Sequence, residues 1–278
     1  MQNFKNKVAV VTGAASGLGT ALAIKATGLG MKVVIADVDE QGLQSVAEAI
    51  LASGAECLAV PTDVADGDAV KALADISFAH FNQVDVLFNN AGVLISGPVW
   101  EHSEEDWRWL LNINLMGAIS GIRHFVPRMI AQQSEGHVVN TSSMAGLLAS
   151  PLMAPYTVSK QAIVALTETL HYDLQIAESK ISTSVLCPGP IATQIANSGK
   201  GRAVESDLNP ANQQFKSFLK QGIDAGMSAE QAADIVFSAI AKQQFWIYTD
   251  AGFTDYYSRR AASVCDQTNP IYEPYISD

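Results

Sequence analysis

Tyr156 and Lys160 stand four residues apart, and Ser143 lies thirteen residues before the tyrosine. On a helix, positions i and i+4 share a face, so the phenol and the ammonium would point the same way. A free phenol has a pKa of about 10, whereas a catalytic base works best with a pKa near the working pH. A unit charge about 4 Å away, at an effective dielectric of about 20, is worth roughly 4 kcal/mol. That corresponds to about three pKa units. Lys160 would therefore help make Tyr156 competent as a base. Ser143 would offer a neutral hydroxyl that holds a substrate oxygen without adding charge. Alone, Tyr-x-x-x-Lys is a weak signal, because two long amphipathic side chains at this spacing often only cover a helix face.

Such groups need rigid elements behind them. Residues 7–12, 31–36, 56–61, 84–89, 137–142, 181–188 and 245–249 read as strands. Several are nearly unbroken in Val, Ile, Leu and Ala, as parallel strands buried on both faces should be. Helix-length segments lie between them, with start signals at Ser103-Glu104-Glu105-Asp106 and a capping box at Ser228-Ala229-Glu230-Gln231. This alternation predicts an α/β fold, a Rossmann-type doubly wound parallel sheet with right-handed crossovers and helices on both faces. A length of 278 residues with 48% hydrophobic content suits one domain spanning 1–278.

The pattern Thr12-Gly13-Ala14-Ala15-Ser16-Gly17-Leu18-Gly19 follows the first strand and opens a helix, the context that makes a glycine motif credible. Gly13 permits a tight turn, Gly17 lets the backbone approach a pyrophosphate, and Gly19 allows close packing of helix on strand. The helix N-terminus then offers free N–H groups and a positive dipole end to the phosphates. Asp37 ends the second strand, where a carboxylate can accept both ribose hydroxyls of NAD; it could also serve as a helix N-cap. A 2′-phosphate there would meet like charge with no Arg or Lys beside it, which predicts NAD over NADP.

Taken together, the glycine pattern, Asn89-Asn90-Ala91-Gly92, Asn114, Ser143, Tyr156-x-x-x-Lys160 and Pro188-Gly189-x-x-x-Thr193 resemble the short-chain dehydrogenase/reductase family. The match runs over residues 5 to 195, in its single-domain oxidoreductase branch. The resemblance implies seven strands in the order 3-2-1-4-5-6-7. It selects Ser143 over Ser142, and it gives Asn114 a share in a water chain leading protons from Lys160. It assigns Lys160 a second bond, to the nicotinamide ribose. Ser16 and Leu18 join the glycines at the cofactor. Asp63 and Val64 meet the adenine; Asn90, Ala91 and Gly92 lie beside the cofactor; Pro188, Gly189, Ile191 and Thr193 complete the site, Thr193 at the carboxamide. Thr12 reads as structural. The implied reaction is proton transfer by Tyr156 with hydride transfer between the nicotinamide and one carbon of a secondary alcohol or ketone.

If the family carries over, the cleft walls come from residues 93–96, 147–155 and the loop after Thr193. With no Arg or Lys among them, they suit a neutral, largely apolar alcohol or ketone, such as an aryl alcohol or steroid. Rival readings are an NADPH-dependent biosynthetic ketoreductase and a non-catalytic nucleotide sensor, the latter at odds with a chain that keeps both Tyr156 and Lys160. Residues 194–227 break the rhythm and read as a substrate loop. The tail 250–278, with Tyr256, Tyr257, Tyr272 and Tyr275, would cover the cleft or a neighbouring subunit. The resemblance also implies a homodimer or homotetramer paired through helices at 103–132 and 155–177.

A net charge of −11 argues against a nucleic-acid partner. No apolar run is long enough to span a bilayer and no secretory leader pattern opens the chain, so a cytoplasmic, membrane-free protein is expected. Cys57, Cys187 and Cys265 are too few and scattered for a disulfide framework and read as buried small hydrophobes. The five histidines lack ligand spacing, so no metal is expected.

Overall fold

The computed structural model of the chain describes residues 1–199, 209–250 and 252–273. Its centre is a seven-stranded, all-parallel sheet in the order β3-β2-β1-β4-β5-β6-β7. The strands are β1 Val8–Thr12, β2 Lys32–Asp37, β3 Cys57–Pro61, β4 Val86–Asn89, β5 Gly136–Thr141, β6 Ile181–Cys187 and β7 Trp246–Tyr248. Each falls on a predicted run to within two residues at either end, β2 and β5 being displaced from theirs by one. The sheet order and fold class are those expected.

Alternation along the strands feeds two cores. Val11, Ile35 and Phe88 face α1 (Gly17–Gly28), α2 (Glu40–Ala52) and α8 (Ala229–Ala241). Their neighbours Val10, Val34 and Leu87 face α3 (Gly67–Phe81), α5 (Gly117–Ala131) and α6 (Ala154–Ile176). Successive strand side chains point to opposite faces, so a sheet covered on both sides must be apolar at every position.

Local signals stop and start the helices. Ser103 and Asp106 form a reciprocal capping box for α4 (Glu104–Leu111), and Ser228 and Gln231 do the same for α8. Asp39, not Asp37, caps α2, its carboxylate accepting from Gly42 N. Asp37 is thereby left without the cap role the sequence offered it. The stretch expected as one long helix at 103–132 is interrupted: α4 and α5 are joined by a wide π-turn at Asn112–Met116.

Two further helices were not read from the sequence. α7 (Pro210–Asp224) occupies much of the expected substrate loop, and α9 (Thr254–Cys265) lies in the tail. The expectations that fell on residues 200–208 and on Tyr275 lie outside the described residues. Among the cysteines only Cys187 is buried; Cys57 is half-buried, and Cys265 is exposed because α9 buries no residue at all.

Candidate active site

In an open parallel sheet, the crevice forms past the carboxyl ends of the strands, where the order reverses between β1 and β4. A cleft of about 730 Å³ opens there. Its floor is made by the turns after β1, β4, β5 and β6, and it runs from Asp37 to a compartment roofed by α7.

The first turn is set by close approach. Gly13 has φ +67, and a Cβ on it would sit 2.7 Å from Ala91 Cα. A Cβ on Gly19 would come 1.9 Å from Gly13 O, so the helix can leave the strand this tightly only without a side chain. α1 begins at Gly17 with Ser16 in extended backbone, no side-chain cap and no acidic residue in its first turn. Its orphan N–H groups are those that a phosphate satisfies at a helix N-terminus. Asp37 braces the loop, its carboxylate accepting from Ala15 N at 3.0 Å and from Asp39 N at 3.0 Å. Ser16, Leu18, Asp63, Val64, Ile191 and Thr193 all line the same cleft, and a Cβ on Gly17 would lie 3.0 Å from the Thr193 methyl.

The asparagines after β4 act as tethers. Asn90 Nδ2 donates to Thr12 O at 3.0 Å, and Thr12 Oγ1 accepts from Asn90 N at 3.0 Å and from Ala91 N at 3.2 Å. Asn89 reaches Asn140 on β5 at 2.8 Å. Pro188 O accepts from Met144 N at 2.9 Å, and Gly189 N donates to Thr249 Oγ1 at 3.0 Å.

Ser143 lies two residues past the end of β5 and opens a short 3-10 turn, Met144–Gly146, accepting from Ala145 N at 3.2 Å. Its neighbour Ser142 points away, donating to Lys160 O at 2.7 Å inside the protein. The two serines are thus separated by the strand's own alternation. Tyr156 and Lys160 occupy one face of α6 and are both buried, at 7% and 2% exposure. The Lys160 ammonium donates to Thr141 O at 2.9 Å and lies 5.6 Å from the centre of the Tyr156 ring. A Cβ on Gly92 would be 3.3 Å from Lys160 Nζ and 3.5 Å from Asn114 Oδ1, so these groups gather at one point. Asn114 sits in the π-turn, a device common at functional sites. Its amide accepts from Val93 N at 2.8 Å and donates to Val93 O at 2.9 Å and Ser159 Oγ at 3.1 Å.

Burial pushes the Tyr156 phenol above its ordinary pKa, and a hydrogen bond with the Ser143 hydroxyl lowers it in turn. The Lys160 ammonium is aimed at the Thr141 carbonyl and lies over the ring. Burial also makes the Lys160 ammonium readier to release its proton, bringing its pKa down to about 8.

Cleft residues that the sequence reading missed come from α7. Phe215 and Leu219 pack with Leu94, Ile95, Met153 and Tyr156 into one apolar cluster. Their spacing with Ile223 was a legible helical signal, and Asn209-Pro210 was a legible start, Asn209 capping Ala211 N at 3.0 Å. Tyr272 and Glu273 also reach the cleft, and Arg259 Nη2 on α9 donates to Glu273 Oε2 at 2.6 Å. Among the described residues Lys160 is the one cation in the lining. No three His, Cys, Asp or Glu side chains among them gather as a metal site, and no helix among them is long and apolar enough to cross a membrane.

A family model described as short chain dehydrogenase matches residues 7–202. A CLA biosynthesis dehydrogenase/reductase of Lactiplantibacillus plantarum is 36% identical, over 90% of each chain. A 1-deoxy-11-beta-hydroxypentalenate dehydrogenase of Streptomyces exfoliatus is 33% identical, over 90% of this chain and 85% of that one. Among solved structures, a short chain dehydrogenase/reductase from Burkholderia phymatum in complex with NAD superposes with a TM-score of 0.96. It is 40% identical and covers 99% of this chain and 100% of its own. The strand order, the sequence of turns around the cleft and these likenesses agree, and the chain belongs to the short-chain dehydrogenase/reductase family.

Proposed function

We propose that the protein is an NAD-dependent oxidoreductase that interconverts a neutral, largely apolar secondary alcohol and its ketone, on a single domain. The observation that carries this is one continuous cleft: Asp37 and the uncapped end of α1 line one part, and Ser143, Tyr156 and Lys160 line the other. Relatives named dehydrogenase and dehydrogenase/reductase support the reaction class.

A dinucleotide fits the first part, since orphan N–H groups suit its pyrophosphate and the Asp37 carboxylate suits unphosphorylated ribose. Asp37 also weighs against NADP and against the ketoreductase reading. When bound, the nicotinamide supplies or accepts the hydride. Tyr156 holds the proton that leaves or joins the substrate oxygen, and Ser143 orients that oxygen while stabilising the phenolate. Lys160 anchors its ammonium on Thr141 O, within reach of the space before Gly92, where it can take a ribose hydroxyl. Phe215, Leu219 and Met153 give the second part an apolar wall, which favours substrates without a carboxylate or phosphate.

Exposed Val158, Tyr172 and Ile176 form an apolar stripe on α6, the sign of pairing across a twofold axis in a dimer or tetramer. Three unpaired cysteines suit a reducing, cytoplasmic compartment. The test is a panel of neutral aryl and alicyclic secondary alcohols, followed by NADH absorbance with NAD and NADPH absorbance with NADP. Turnover with NAD and not NADP is expected, and Asp37→Ala should narrow that preference at least tenfold. Wild-type preference for NADP would refute the cofactor assignment.

A further inference from the structure

The apolar wall of the substrate compartment is closed by a helix held through a buried polar pair. Ser96, in the loop after β4, is 3% exposed, and Asn212, in the first turn of α7, is fully buried. Ser96 Oγ donates to Asn212 Oδ1 at 3.0 Å, and Asn212 Nδ2 donates back to Ser96 O at 3.2 Å. Phe215 and Leu219 lie three and seven positions beyond Asn212, on the same helical face. Leu94 and Ile95, against which they pack, immediately precede Ser96. A separate bond, Leu94 N to Ser198 Oγ at 2.8 Å, ties the same loop to the short turn at Ile195–Asn197.

Apolar contact is non-directional, so Phe215 and Leu219 alone would tolerate a helix shifted along its axis. A buried amide is not so tolerant: once its partners are lost it stays desolvated and unpaired. We infer that Ser96 and Asn212 are a positioning pair that fixes the height of α7 above Tyr156, and so decides how large an alcohol the compartment accepts. This rests on the proposed oxidation of apolar alcohols at that site. The pair touches neither substrate nor cofactor; it acts through Phe215 and Leu219.

The test measures two things on Asn212→Ala, Ser96→Ala, Ser96→Thr and the double variant. The first is amide hydrogen exchange along α7, which reports local opening whether or not the protein turns over. Asn212→Ala should lose about tenfold in α7 protection, about 1.4 kcal/mol, with β4 unchanged. Ser96→Ala, which keeps the backbone carbonyl bond, should lose less, and Ser96→Thr should recover protection. Because Asn212→Ala already removes both bonds, the double variant should lose no more than it does.

The second readout is the ratio of kcat/KM between a bulky and a small secondary alcohol. It should fall about tenfold in Asn212→Ala, mainly through KM for the bulky one. Unchanged α7 exchange, or additive losses in the double variant, would overturn the pairing. Looser exchange with unchanged selectivity would overturn its role in specificity. Looser exchange in a protein whose wild type oxidises no alcohol would leave the clamp standing and sink the proposed function instead. Should Asn212→Ala fail to fold, Ser96→Ala and Ser96→Thr carry the same comparison.

Discussion

In the proposed reaction Tyr156 meets the heaviest chemical demand in the cleft, since a buried phenol would have to give up and regain a proton. Positioned proton transfer typically contributes about 100- to 10,000-fold. Tyr156→Phe should cut turnover by that amount and leave the NAD dissociation constant within about threefold; lost NAD binding would instead make the tyrosine a structural residue. In the proposed reaction Ser143 would have a part beyond holding substrate, because a hydrogen bond with its hydroxyl lowers the raised phenol pKa. In alcohol oxidation the phenolate is the active form, so kcat/KM should climb with pH. Ser143→Ala should move that climb to higher pH as well as lowering the plateau, and an unmoved profile would remove the hydrogen bond from the mechanism. That these residues would gather in one cleft was legible from spacing and family resemblance. Their partners were not: Lys160 donates to Thr141 O, which no i to i+4 rule contains.

Among the elements, β5 and β6 hold a titratable group inside the sheet. Ser184 Oγ donates to Gln244 O at 2.6 Å, so its 2.7 Å contact with His137 Nε2 must be one in which the ring donates. His137 Nδ1 then stays bare and without a partner, and burial brings the ring's pKa down from 6.5 to about 3. Such a histidine is neutral in the fold and charged in the unfolded chain below pH 6.5. Its contribution is full above that value and is lost progressively as pH falls to about 3, up to roughly 5 kcal/mol. Urea unfolding of His137→Gln should show a pH slope shallower by about 1.4 kcal/mol per unit between about pH 6 and 4; parallel slopes would dismiss the linkage. The strands were readable because both faces are buried, which writes an unbroken apolar run. The break in the long helix expected at 103–132 has a cause too: the π-turn adds a residue and puts α5 out of phase with α4. α9 was unreadable for the opposite reason, since a helix that buries nothing carries no apolar stripe.

At the scale of the whole molecule, two covers meet over one cleft and are held by different forces. α7 is secured by the apolar cluster and buried amide bonds, which salt scarcely touches. The tail, in contrast, approaches the cleft through Tyr272 and Glu273 and is anchored by the Arg259–Glu273 ion pair, with both side chains about half exposed, at 52% and 48%. Exposed pairs of this kind are worth about 1 kcal/mol at most, and their screening length falls from about 30 Å at 0.01 M to about 3 Å at 1 M salt. Kinetic constants gathered in dilute buffer and in brine should therefore describe two differently shuttered enzymes, differing by up to about fivefold in substrate KM. Glu273→Gln should read the same in both. Ionic strength thus becomes a variable to fix before any two laboratories compare rates.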